Sequence, residues 1–119
     1  MIRLNYRDSK PIYEQIEDAF KKLIISGAMQ KDEQLPSVRT LATQLSINPN
    51  TIQRAYNELE NEGYLYSLKG KGNFVSGIKE TDTEKIEALI GEIVERMKEV
   101  EYLGMPLDEL ILRIKEEME

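Results

Sequence analysis

The chain has no cysteine and no histidine. Without cysteine there is no disulfide, no thiolate metal site and no thiol nucleophile. Without histidine the commonest general base and the commonest metal ligand are both missing. The acids look evenly spread and lack softer partners, so neither a metal site nor a cofactor is expected, and an enzyme is not expected either. No apolar run approaches the roughly 18 residues of a membrane span. The start, Met1-Ile2-Arg3-Leu4-Asn5, lacks the long apolar stretch of a secretion signal. A cytoplasmic protein with no membrane partner is expected. A length of 119 residues excludes large catalytic architectures such as the (β/α)₈ barrel, which needs about 250. Hydrophobic residues make up 40% and charged residues 32%, the composition of a folded chain and not of a disordered one.

The net charge of −6 is unevenly spread. Residues 1–79 carry 11 Lys/Arg and 9 Asp/Glu, a net of +2, whereas residues 80–119 carry 5 and 13, a net of −8. Whole-chain acidity normally argues against nucleic acid, but here it belongs to the tail.

The periodicity predicts five helices and one hairpin. Ser9-Lys10-Pro11 reads as a helix start, with Ser9 as the cap, and Ile12, Tyr13, Ile16, Ala19, Phe20, Leu23 and Ile24 as one apolar face up to Gly27. Residues 29–36 read as a loop. Ser37 caps a short helix to about Leu45, and Asn48, followed by Pro49, caps the next, whose inner face is Ile52, Ala55, Tyr56 and Leu59. Two short helices joined by about three residues make a helix-turn-helix. The run 64–68, a glycine-rich 69–73 and Phe74-Val75-Ser76 then predict a β-hairpin that packs back through Leu65 and Val75 or their neighbours. A short linker follows at 77–80, and Thr81 with Glu84 matches a capping box. The expected fold is mainly α with a small β-hairpin: a winged helix-turn-helix domain over 1–79, then a C-terminal helical hairpin over 80–119.

The helix after Asn48 turns Asn50, Gln53, Arg54 and Asn57 outward or to the side. Any solvated face is polar, so amides alone decide little. The first turn, however, carries no carboxylate, although the helix dipole favours one there. An open, positive helix start suits a phosphate, and Asn, Gln and Arg suit base edges in the major groove. Thr51 suits a phosphate or a thymine methyl. Ser37 and Arg39 open the preceding helix with a hydroxyl and a cation. Lys69, Gly70, Lys71 and Gly72 make a thin positive tip able to follow a backbone or enter the minor groove. The competing reading of the same residues is a winged-helix module that binds protein and never DNA.

Leu35-Pro36-Ser37-Val38-Arg39-Thr40-Leu41-Ala42 and Gly63 with Gly70-Lys71-Gly72-Asn73-Phe74-Val75 resemble the signature of the GntR family of bacterial transcription factors. Pro11-Ile12-Tyr13-Glu14-Gln15-Ile16 and Ile25-Ser26-Gly27 resemble its first helix. Asn48-Pro49-Asn50-Thr51-Ile52-Gln53-Arg54-Ala55-Tyr56 and the short C-terminal region resemble the YtrA type within it. The resemblance spans about residues 6–78. It implies a homodimeric regulator, most often a repressor, on a pseudo-palindromic double-stranded operator. It places the helix of Asn50, Thr51 and Gln53 in the major groove and the hairpin at the adjacent minor groove. It implies a DNA contact for Arg39, contact positions at Thr51 and Gln53, and wing-tip glycines at Gly70 and Gly72. Where many members carry a Ser/Thr-Arg pair, this chain has Asn48-Pro49, so a base-reading arginine is absent there. Arg54 is displaced from the usual position.

The tail is expected to pair with its copy. Two helices cannot enclose a typical ligand pocket within one chain or bury a two-sided apolar stripe alone. The expected seam is Ile86, Leu89, Ile90, Ile93, Met97 and Val100 from the first tail helix, with Leu107, Leu110, Ile111 and Ile114 from the second. The sequence leaves open a small-molecule effector between the two chains and names none.

Overall fold

A computed structural model describes residues 2–77 and 82–119. In chain order they form α1 (Ile12–Ile25), α2 (Val38–Leu45), α3 (Pro49–Asn61), β1 (Leu65–Leu68), β2 (Gly72–Val75), α4 (Thr83–Tyr102) and α5 (Leu107–Met118). They fall into two compact units, divided between Ile78 and Lys79. Most of the expected linker at 77–80, the 79/80 boundary and the Thr81 cap lie outside the described residues.

In the first unit, α1, α2, α3 and the hairpin enclose one core. Ile16 and Phe20 from α1, Leu41 and Ala42 from α2, and Ile52, Ala55, Tyr56 and Leu59 from α3 are buried together with Leu35, Leu65 and Val75. Fully burying one such aliphatic side chain contributes about 1.5–3 kcal/mol. Tyr56 is the largest of them. Its ring meets Phe20 edge-on at 5.7 Å, and its hydroxyl donates to the Pro36 carbonyl at 2.7 Å. That bond satisfies the buried phenol and ties α3 to the residues that lead into α2. Burial holds the phenol above its ordinary range.

Helix starts follow the expected chemistry in two cases and depart from it in a third. Ser37 Oγ accepts from Thr40 N–H at 3.1 Å, and Asn48 Oδ1 accepts from Asn50 N–H at 2.8 Å. Ser9 does not cap α1. Pro11 stands at the cap position with no side-chain bond. Gln15 instead reaches back from the first turn, donating to the Lys10 and Asn5 carbonyls and accepting from Asn5 N–H. Gln15 lies one turn inside α1 and reaches the chain that leads into the helix, and Pro11 offers no side-chain acceptor at the cap position itself.

The hairpin is longer and tighter than the sequence suggests. The antiparallel register runs from Leu65 opposite Val75 to Leu68 opposite Gly72, so Gly72 and Asn73 are strand and only Lys69-Gly70-Lys71 turn. Gly70, at φ +76°, supplies the left-handed residue that a three-residue connection uses. The expected loop at 29–36 also pairs with the sheet. Asp32 N–H donates to Val75 O, Val75 N–H to Glu33 O and Leu35 N–H to Asn73 O, at 2.8–2.9 Å. Its side chains are mostly polar, so nothing in the hydrophobic pattern announces an edge built by backbone alone.

In the second unit α4 is capped by Asp82, whose Oδ1 accepts from Lys85 N–H at 3.0 Å. The turn Leu103-Gly104-Met105-Pro106 leads into α5. No residue of α4 is buried, and only Leu110 of α5 is, at 7% exposure. No helix among the described residues is long and apolar enough to cross a membrane.

Candidate nucleic-acid interface

With Ile52, Ala55, Tyr56 and Leu59 turned into the core, the opposite stripe of α3 is Asn50, Gln53 and Asn57, all exposed. Gln53 Nε2 donates to Asn57 Oδ1 at 2.9 Å. That internal bond leaves Gln53 Oε1 as an acceptor and Asn57 Nδ2 as a donor on neighbouring turns. One donor beside one acceptor is what an adenine edge in the major groove matches. Thr51 is half-buried at the flank. The Asn48 oxygen is used by the cap, so its outward chemistry is reduced to its amide N–H groups.

Neither α2 nor α3 has an acid in its first turn. The acids at the far end of α3 are occupied: Glu58 with Arg54 at 3.5 Å, Glu60 accepting from Ser67 Oγ at 2.9 Å, and Glu62 with Lys21 at 3.0 Å. Ser37 Oγ has its proton and one lone pair engaged, accepting from Thr40 N–H and donating to Thr40 Oγ1 at 2.8 Å. It therefore acts as a cap, with little left for a ligand. Among the described residues, no ion pair or hydrogen bond holds the side chains of Arg39, Lys69 or Lys71. All three are exposed cations beside or beyond the helix-turn-helix. Gly70 and Gly72 leave the lysines as the side chains of the wing tip.

Arg54 is not brought together with the α3 stripe. Its guanidinium lies 3.7 Å from the centroid of the Tyr13 ring on α1 and pairs with Glu58. Cation–π attraction draws it toward α1, and the ion pair holds it along α3. Behind it sits Glu17, 6% exposed, whose Oε1 has no partner among the described residues. Burial first, and then the hydrogen bond and charge of Glu58, push the Glu17 carboxyl up to about 8, so at neutral pH it is mostly protonated. Its hydrogen bond holds Glu58 below the ordinary carboxylate range, which keeps Glu58 charged for Arg54. Glu17 is not among the residues of the apolar face that the periodicity of α1 marks, and nothing in the chain order signals its pairing with α3.

A polar helix stripe on a helix-turn-helix, open helix starts and a cationic hairpin tip define a winged-helix DNA-binding regulator. The model of the bacterial regulatory proteins of the gntR family matches residues 12–75, and the chain belongs to that family, of the YtrA type. It is 41% identical to the HTH-type transcriptional repressor YtrA of Bacillus subtilis, over 98% of this chain and 91% of that protein. The crystal structure of a transcriptional antiterminator from Listeria monocytogenes superposes with a TM-score of 0.84 at 30% identity, covering 100% of this chain and 90% of the other. The DNA-binding domain of AraR in complex with its operator ORR3 superposes with a TM-score of 0.55 at 30% identity, covering 62% of this chain and 89% of that domain. The chain is a regulator and not an enzyme.

Proposed function

We propose that the protein is a cytoplasmic repressor that binds a pseudo-palindromic operator as a homodimer. The observation that carries the reading is the coincidence of the Asn50–Gln53–Asn57 stripe with helix starts free of acid and with the exposed cations Arg39, Lys69 and Lys71, which have no partner among the described residues. In this reading α3 enters the major groove, the start of α2 lies against a phosphate, and the wing follows the neighbouring backbone. Bases are read by Gln53, Asn57 and Asn50, with Thr51 at the edge of the contact. Arg54 supports α3 from behind.

The dimer rests on the second unit. Ile86, Leu89, Ile90, Ile93, Leu107, Ile111 and Ile114 are each at least 37% exposed, an apolar strip uncovered in the single chain. Met97 and Val100 are half-buried on the same face. Leu110 is already covered and drops out of the seam. Two such strips laid together would form a four-helix bundle. The cavity between α4 and α5, lined by Val94, Met97, Lys98, Glu101 and Leu107, holds about 260 Å³. That is below the roughly 300 Å³ at which ligand pockets begin, so an effector would need walls from both chains.

The test is binding to labelled fragments of the protein's own promoter region across a salt series, followed by footprinting. Affinity should fall steeply with salt, with a slope near −0.9 per phosphate neutralised, and protection should appear as two half-sites about one helical turn apart. Salt-independent capture, or no protected sequence, would return the reading to a protein-binding module.

A further inference from the structure

Gln34 lies before α2, outside every residue expected to meet DNA. Its exposed side chain crosses to the wing, where Nε2 donates to the Lys71 carbonyl at 2.8 Å. The backbone around it is paired with β2: Gln34 bridges Phe74, and Leu35 N–H donates to Asn73 O at 2.9 Å. Gln34 thus continues the pairing past the end of the ladder and onto the tip. The fit at the tip is close, because a Cβ added at Gly72 would stand 2.9 Å from Gln34 Nε2. Three residues after Gln34, Ser37 begins α2, and Arg39 follows it.

We propose that Gln34 is a positioning residue for DNA binding: its amide fixes the Lys71–Gly72 peptide and so holds the wing-tip lysines at a set place relative to the start of α2. The inference rests on the reading of the wing as a phosphate contact. A three-residue turn with Gly70 at its centre and Gly72 at its exit has a loose backbone when untethered. Ordering it on DNA would cost conformational freedom at the moment of binding. The Gln34 bond pre-orders it. The bond leaves the core untouched, since Gln34 is exposed and its own contacts are with the wing backbone.

The test measures the full chain with a duplex of mixed sequence at low salt, for wild type, Lys71→Ala, Gln34→Met and the double variant. Methionine keeps the length of the side chain and removes the amide. Gln34→Met should weaken binding about 3- to 10-fold, the worth of one exposed hydrogen bond, with the melting temperature lowered by no more than the few degrees that one such bond is worth. Lys71→Ala should weaken it as well, and the double variant should be little weaker than Lys71→Ala alone. In the free chain the Gly72 amide resonance should move in Gln34→Met while those of Ile52 and Leu59 stay. If Lys71→Ala binds like wild type, the wing contact itself is lost and this inference falls with it. If Lys71→Ala weakens binding but Gln34→Met does not, or the two losses multiply, Gln34 has no positioning role and the wing contact stands. An unmoved Gly72 resonance overturns the tether in the same way.

Discussion

In the proposed reading, two side chains on α3 carry the contact to bases. Gln53 and Asn57 spend one donor and one acceptor on each other and leave one of each facing out. Gln53→Ala removes the outward acceptor and the brace on Asn57 together. It should change the ranking of base-substituted operator duplexes, with about 1–3 kcal/mol lost at one position, while mixed-sequence DNA is bound almost as before. Competition binding against a panel of single-base variants reads this directly. Glu17 gives a prediction of another kind. Its carboxyl titrates near 4.5 in the unfolded chain and near 8 in the fold, so between those values the native state holds a proton that the unfolded state has released. Stability therefore falls as pH rises from about 4.5 to about 8 on account of this group, and levels off above. Glu17→Gln keeps a donor toward Glu58 without the titration. It should raise the melting temperature at pH 8 by several degrees, on the order of 4–8 °C per kcal/mol, and leave it nearly unchanged at pH 4.5. Thermal melts at the two pH values decide it, and an equal shift at both would show that Glu17 does not titrate as described.

At the scale of elements, the helices were legible because their signals are local. Ser37 and Asn48 announce the starts of α2 and α3, and the spacing of Ile52, Ala55, Tyr56 and Leu59 fixes which side of α3 faces out. What stayed hidden depends on neighbours distant in sequence. Arg54 sits one residue from Gln53, and helix geometry alone leaves it between the two faces; Tyr13, from another helix, decides. The edge at Asp32–Leu35 is made by main-chain bonds, which no side-chain pattern records. The second strand of the wing was read two residues too short at its start because Gly72 and Asn73 look like turn, although their places opposite Leu68 and Ser67 make them strand. One element carries a local cost. Ser46, in the turn between α2 and α3, has φ +55°, a left-handed conformation that disfavours a side chain by roughly 1–2 kcal/mol. Ser46→Gly relieves that cost but loosens the unfolded chain, so a net gain of about 0.5–1 kcal/mol is expected. Urea denaturation with an unchanged m-value checks it.

For the whole molecule, the division of charge and oil between the two units assigns them separate work in the proposed mechanism. The first unit is mildly basic and sealed around its core, and the second is acidic on its polar side and bare on its apolar side. Ile93, 53% exposed near the middle of α4, is the sharpest probe of that bare side. Ile93→Glu would place an unpaired charge in the seam. It should give monomers in sedimentation at micromolar concentration and leave the melting of the first unit unaltered. An unchanged dimer would move the contact elsewhere.

The uncovered strip on α4 and α5 also bears on dosage. If only the paired form grips its operator, a scarce subunit is converted to active species roughly with the square of its abundance. Repression would then switch off more abruptly than the protein itself is diluted. A cell could release the controlled genes by growth alone, without any inducing molecule.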